Sequence, residues 1–247
     1  MSYPRVNIFG VPISKMNMQQ TVDYITEAIA SREPHQVITA NPIMVTAALN
    51  DPSYMRLMKE AELIVPDGAG VVWAAGYVGN PVAERVAGFD LMHELMKRGQ
   101  ERGWRVFLVG SSPENIQAAA DRLKELYPKL SLVGFRDGYF GEKEDDSVIE
   151  TIRAANPDIL LVGRSAATQE PWICKYKRQL GIPIMMGVGG SFDVLSGKLK
   201  RAPELFIRLR LEWFYRLLQE PWRYKRMLDL PKFALKVIRE KENVQKP

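Results

Sequence analysis

One cysteine, Cys174, and two histidines, His35 and His93, are all that the 247 residues offer to thiol and imidazole chemistry. A single cysteine closes no internal disulfide, and neither histidine stands at a zinc-ligand spacing, so no structural metal is expected. No apolar run approaches the roughly 20 residues that a bilayer-spanning helix requires. The opening MSYPRVNIFGVPIS lacks a basic segment followed by a long apolar stretch, which predicts a chain neither secreted nor inserted in a membrane. Asp-x-Asp is missing, so the usual divalent-metal clamp of a diphosphate site has no visible ligands. The G-x-G-x-x-G fingerprint and the P-loop are missing too, which weakens hydride transfer and ATP hydrolysis as readings.

What is present is enough to build one sizeable core, since 46% of the residues are hydrophobic. The net charge of +5 hides an asymmetry. Residues 198–247 hold 14 Lys and Arg against 6 Asp and Glu, a net +8, whereas residues 1–197 hold 20 against 23, a net −3. A mildly acidic body is therefore joined to a basic tail in which cations alternate with Trp, Tyr, Phe and Leu, and such a tail suits an anionic partner or a solvated helical face.

Short apolar runs ending in turn residues alternate with longer stretches of helical period. That order predicts an α/β body with a largely parallel, Rossmann-like sheet flanked by helices. Strands are expected near Gln36–Ala40, Leu63–Val65, Arg105–Val109, Ser131–Phe135, Ile159–Val162 and Ile182–Met186. Helices are expected over Asn17–Ser31, Pro42–Asn50, Phe89–Arg102, Pro113–Tyr127, Glu144–Ala155 and Thr168–Leu180. Pro113 suits a first helical position, and Ile116, Ala119, Ala120 and Leu123 mark one face of the helix that follows. Beyond Pro203 only helical stretches remain, broken at Pro221 and Pro231. The expected organisation is a body of residues 1–197, able to fold without the tail, and a helical appendage of residues 198–247.

In an open α/β sheet, ligands bind beyond the carboxyl ends of the strands, so the turns after strands are the first candidates for a site. Gly187, Gly189, Gly190 and Ser191 form a turn whose backbone N–H groups could approach a phosphate at a helix start. Glycine-rich turns also occur for packing reasons alone. Asp67 lies between Pro66 and Gly68 directly after an apolar strand. There it reads either as an ordinary Pro-Asp-Gly turn or as a general base projecting into the ligand crevice. With no metal clamp, charge on a departing diphosphate would fall to arginines or helix ends. Arginines are concentrated in the tail, where Arg223 and Arg226, three apart, would share a helix face.

Eight stretches carry a resemblance to a known family: ITANPIMV (38–45), VPDGAGVVWA (65–74), ERVAGFDL (84–91), FLVGSSPE (107–114), PDILLVG (157–163), QEPWI (169–173), GVGGSFDVLSGKLKRAP (187–203) and LEWFYRLLQEPWRYKRM (211–227). In this order they resemble the TagA/WecG/CpsF glycosyltransferases, glycosyltransferase family 26. The resemblance implies an inverting, metal-independent transferase without a cofactor. Its expected reaction moves N-acetylmannosamine from a UDP-sugar donor to undecaprenyl-diphosphate-linked N-acetylglucosamine, making the linkage unit of wall teichoic acid. It further implies Asp67 as catalytic base, Thr39 and Asn41 as pocket residues and Gln169 beside a substrate sugar. Arg216, Arg223 and Arg226 would belong to an appendage that closes over the site and meets the diphosphate. The family usually reads G-x-G-x-P-x-Q-E where this chain has Ser165 and Ala167 in place of the second glycine and the proline. That exchange should cost the loop freedom at Ser165 and add some at Ala167. Arg164, in the same loop, is expected to face solvent rather than a phosphate or an acidic sugar.

The interleaved Trp213, Phe214, Trp222, Tyr224 and Phe233 suit the interface between apolar lipid and anionic headgroups. The chain is thus expected on the cytoplasmic face of the cell membrane, bound peripherally. Off the membrane, surfaces that the appendage would otherwise cover could pair copies of the chain as a homo-oligomer. Two readings of another class fare worse. A nucleic-acid-binding module would use the basic aromatic tail but leave Asp67 and the Gly187–Ser191 turn without a task. A dinucleotide oxidoreductase would need the missing fingerprint. Within the family, N-acetylmannosaminuronic acid or a hexose is the alternative donor sugar.

Overall fold

A computed structural model describes residues 3–246. A short antiparallel hairpin, β1 (Arg5–Ile8) and β2 (Val11–Ser14), precedes α1 (Met18–Ser31). There follow β3 (His35–Ala40), α2 (Pro42–Asn50), α3 (Pro52–Glu60), β4 (Leu63–Pro66), α4 (Ala69–Tyr77), α5 (Gly88–Arg102), β5 (Arg105–Gly110), α6 (Pro113–Leu126) and β6 (Ser131–Arg136). The body ends with α7 (Asp145–Ala155), β7 (Ile159–Gly163), α8 (Ala166–Leu180), β8 (Ile184–Gly187) and α9 (Ser191–Leu195). Strands β3 to β8 form one parallel sheet in the order β4-β3-β8-β7-β5-β6. The fold is the expected α/β arrangement, with helices on both faces.

The sequence builds these layers by local rules. β4, β7 and β8 are buried along their whole length, as strands covered on both faces must be. Alternate residues serve opposite faces: Val37, Leu63, Val65, Leu108 and Leu161 pack with apolar residues of α1, α5 and α6, whereas Phe107, Leu160 and Met185 pack with those of α7 and α8. Each such fully buried aliphatic side chain contributes about 1.5–3 kcal/mol relative to leaving it in water. Helix starts follow capping chemistry. Asn17 and Gln20 form a reciprocal capping box at α1, and Ser112 caps α6 ahead of Pro113.

Three elements lie outside the sequence expectations. The β1–β2 hairpin turns through Phe9 and Gly10, both at positive φ (52° and 82°). A two-residue hairpin of that kind normally announces itself as Asn-Gly or Asp-Gly, and Phe-Gly does not. α3 follows α2 after one residue because Asp51 caps it, accepting from the Ser53 and Tyr54 amides. α4 carries Gly70, Gly76 and two adjacent valines, poor helix formers that tertiary packing overrides. The last strand begins at Ile184 rather than Ile182: Pro183 has no N–H to give to the ladder, although its carbonyl accepts from the His35 amide at the start of β3.

The remaining residues form α10 (Glu204–Arg208), α11 (Glu212–Gln219), a 3-10 turn (Pro221–Arg223), α12 (Tyr224–Met227) and α13 (Asp229–Arg239). Phe233, Val237 and Val244 are buried in a cluster with Phe9, Val11, Ile38, Met44 and Val71 of the body. The Phe9 amide donates to the Val244 carbonyl at 2.6 Å. Two expectations are corrected by this packing. Phe233, 2% exposed and edge-on to Phe9, is a core residue and not an aromatic available to a lipid interface. Removing everything beyond residue 202 would also strip the body of three buried side chains, so the body is not complete without the chain's last helix.

Candidate active site

A cavity of about 900 Å³ opens at the carboxyl ends of β3, β4, β7 and β8 and is roofed by α11, the 3-10 turn and α12. Thr39, Asn41, Asp67, Gln169, Gly189, Gly190, Ser191, Arg216, Arg223 and Arg226 all line it. Gly187 does not; it lies behind the wall, where a Cβ would meet Glu170 Oε1 at 2.1 Å and Gln169 Nε2 at 2.3 Å. Eight Lys and Arg against five Asp and Glu line the space, so an anionic ligand is the one that the cavity favours.

Asp67 is placed by a close meeting of two turns. Its amide and that of Gly68 both donate to the Ala40 carbonyl, at 3.0 and 3.1 Å. A Cβ on Gly68 would stand 2.5 Å from Pro42 Cδ and 2.9 Å from Asn41 Cβ, so only glycine lets the two turns touch. The Asp67 side chain keeps 29% of its exposure and lines the cavity. Dense surroundings therefore disfavour its charge. Burial pushes the carboxyl up to about 6, Arg85 opposes the rise, and Glu212 and Asp90 add to it. A carboxylate with that affinity for a proton, facing a cavity, can accept one from a hydroxyl.

Arg85 is the nearest cation. Its Nε donates to the Asp67 carbonyl at 2.6 Å, and its Nη2 stands 3.7 Å from Asp67 Oδ1 while pairing closely with Glu212 of α11. The loop that carries it is fixed to the end of β4, the Val86 amide donating to the Pro66 carbonyl. Asn41 has a local duty: its Oδ1 caps α2, accepting from the Ile43 and Met44 amides at 3.0 and 3.2 Å.

Gln169 is almost wholly buried, and its carboxamide is committed. Oε1 accepts from the amides of Arg164 (3.2 Å) and Gly189 (3.1 Å), and Nε2 donates to Glu170 Oε1 (2.9 Å). It therefore ties the turn after β7 to the turn after β8. Glu170, fully buried, also accepts from Gln36 Nε2 at 2.9 Å. Burial pushes its carboxyl up to about 7 against the pull of these two carboxamides. The amides of Val188 and Ser191 are likewise spent on backbone carbonyls. Of the expected row of phosphate-facing N–H groups, the hydrogen bonds among the described residues leave Gly190 uncommitted. Gly190 matters in another way: a Cβ there would lie 2.1 Å from Arg216 Nη2, so its bare Cα is what lets the guanidinium in.

The tail arginines are preorganised by one acid. Glu220 Oε2 accepts from Arg216 Nε at 2.9 Å and Arg223 Nη1 at 2.8 Å. Burial alone would raise the Glu220 carboxyl, but the two guanidinium groups outweigh it and hold it below its usual value. Burial and the neighbouring Arg216 depress Arg223 in turn. Arg164 does not simply face solvent, since its guanidinium lies 4.7 Å over the Phe140 ring at the cavity's edge. Ser165 sits at φ −70°, ψ 149°, where no glycine is needed, and its hydroxyl meets that of Thr168 at 2.9 Å. The serine is thus accommodated without strain.

A cavity at the carboxyl ends of the strands, lined by a carboxylate with a raised affinity for protons and roofed by arginines, suits an anionic ligand, and the comparisons with known proteins give the family. Residues 6–247 match the model of the glycosyl transferase WecG/TagA/CpsF family. The chain is 37% identical over 237 residues to a Bacillus subtilis (strain 168) protein, covering 96% of this chain and 92% of that one. It is 38% identical over 211 residues to a Bacillus spizizenii protein (85% and 81%). A Staphylococcus aureus (strain MW2) protein is 36% identical over 244 residues (98% and 95%). All three are named N-acetylglucosaminyldiphosphoundecaprenol N-acetyl-beta-D-mannosaminyltransferase. The chain belongs to the WecG/TagA/CpsF family and is a glycosyltransferase. Among the described residues no helix is long and apolar enough to cross a membrane.

Residues that sequence reasoning missed are the acids and one arginine that hold the others in place: Arg85, Glu170, Glu212 and Glu220. Each stands inside a stretch that carries the family resemblance, which was the available signal.

Proposed function

We propose that this glycosyltransferase moves N-acetylmannosamine from UDP-N-acetylmannosamine to undecaprenyl-diphosphate-linked N-acetylglucosamine, the step that makes a teichoic acid linkage unit. Three relatives, matched over 81–95% of their length, bear the name of that reaction. The observation that supports the chemistry is that Asp67 and the tail arginines line one cavity. Asp67 takes the proton of the acceptor hydroxyl as that oxygen bonds to the donor's anomeric carbon. The bond from that carbon to the diphosphate oxygen breaks on the opposite face, UDP leaves with the electron pair, and the configuration inverts. Arg216, Arg223 and Arg226, with the Gly190 amide, meet the charge that gathers on the β-phosphate. Thr39 and Asn41 line the sugar side of the pocket, and Gln169 acts by holding the two turns that flank the phosphates.

In this reading residues 198–247 act as the cavity's roof and as its membrane contact. Trp213, Phe214, Trp222 and Tyr224 stay exposed beside the tail's cations, as a peripheral helical surface on an anionic cytoplasmic leaflet requires. The test is a panel of UDP-sugars offered with a short-chain lipid diphosphate N-acetylglucosamine, read by UDP release. UDP-N-acetylmannosamine is expected to turn over fastest. Turnover of a mannosaminuronic acid or hexose donor instead would move the chain to another surface polysaccharide, and turnover of none would reject the reading.

A further inference from the structure

Asp67 and Glu212 compete for one guanidinium. Arg85 Nη2 is paired with Glu212, which opens α11 in the tail, and is left 3.7 Å from Asp67 Oδ1, beyond hydrogen-bond reach. Arg85 cannot simply withdraw, because its Nε is fastened to the Asp67 carbonyl at 2.6 Å. Both partners are largely enclosed, at 24% and 28% exposure, so their attraction is screened far less than that of a surface pair. We propose that Glu212 is a positioning residue that draws Arg85 off the Asp67 carboxylate, so that seating the tail over the cavity also frees the base.

This rests on the reading of Asp67 as the base. The physical reason is the cost of a direct Arg–Asp pair: a guanidinium hydrogen-bonded to the carboxylate stabilises its charged form and makes it a poor proton acceptor. With the tail seated, the same guanidinium answers a second anion. The surroundings of Asp67 agree, since burial raises its carboxyl and Glu212 adds to the rise where Arg85 alone would lower it. The other charged group that acts on it is Asp90, from α5, which is itself paired with Arg201. Thr39 and Asn41, from β3 and the start of α2, carry no charge. The device couples cavity closure to base strength, so a chain with its tail unseated would not only lack the roofing arginines but also hold its base as an ion pair.

The experiment is Glu212→Gln, isosteric and uncharged, assayed by UDP release across pH with Glu212→Asp and Asp67→Asn alongside. Loss of the competing anion should let Arg85 close on Asp67. The acid limb of the kcat profile is then expected to move down by about one to three pH units. The plateau should fall about ten-fold as the base weakens, and the donor KM should change less than kcat. Glu212→Asp, which keeps the charge, should restore the wild-type limb. An acid limb that stays in place in Glu212→Gln, whatever happens to the plateau, overturns the proposal, because a purely structural loss would lower the rate without moving the limb. Should Asp67→Asn retain its turnover, the reading of Asp67 as the base has failed, and that failure is separate from the behaviour of Glu212.

Discussion

Body and tail treat their apolar side chains in opposite ways. Among the described residues up to 197, only Trp73, Tyr77, Leu126 and Tyr139 are both large and exposed, whereas the tail displays ten such residues, with Trp222 at 70%. Yet the tail is not an independent arm. Its last helix gives Phe233 and Val237 to the body's core, while α10 to α12 contribute no buried residue. An anchored end and an uncovered middle make sense together if the middle has two faces, arginines with Trp213 and Tyr215 at the cavity and Phe214, Trp222 and Tyr224 outside it. The lesson is that burial, and not the change in composition near residue 198, marks where the tail stops being optional.

Substitutions can break this contrast. The largest effect on stability is expected at the anchor, where Phe233→Ala should cost about 3–5 kcal/mol through the cavity that it leaves among Phe9, Val237 and the residues around them. Chemical denaturation would measure it, and a loss below 1 kcal/mol would mean that the tail is not built into the core. On the cavity side, Arg223→Ala should lower kcat/KM by roughly a hundred-fold with little change in melting temperature, since one preorganised charge-stabilising donor is commonly worth about 2.7–4 kcal/mol. Equal losses for the exposed Arg208→Ala would show that net charge, and not placement, is what counts. The smallest effect on folding belongs to Trp222→Ala, which should stay within about 0.5 kcal/mol of wild type. Its binding to anionic vesicles should weaken several-fold, and unchanged vesicle binding would sever the link between exposed aromatics and membrane contact.

Much of the frame was legible because it rests on local rules. Six apolar runs with turn residues after them gave the six strands of the parallel sheet, and Asn17, Asn41, Ser112 and Pro113 stand where helix starts need caps. The hairpin was not legible. Its turn puts Phe9 at positive φ, a choice that makes sense only once Val244 and Phe233 hold that residue from the far end of the chain. The site divides in the same way. Asp67 drew notice by its place after an apolar strand, but Pro-Asp-Gly is also an ordinary turn and the family resemblance was what marked it as a base; the tail arginines stood out by their density. Gln169 and the Gly187–Ser191 turn looked like direct ligand contacts. Their hydrogen bonds are instead spent within the chain, and the one that joins them, from the Gly189 amide to Gln169 Oε1, spans 20 residues that no spacing rule foretells. Arg85 and Glu212, more than a hundred positions apart, become a pair only when the tail folds back over the end of β4.

The central claim is that one carboxylate at the end of β4 accepts the acceptor sugar's proton inside a cavity finished by the tail. The most direct measurement is UDP release by Asp67→Asn from UDP-N-acetylmannosamine and the lipid-linked acceptor, beside equilibrium binding of UDP to the same protein. Turnover is predicted to drop by about a hundred- to ten-thousand-fold while UDP binds as in the wild type. Turnover near the wild-type rate, with the variant folded and UDP bound, would contradict it.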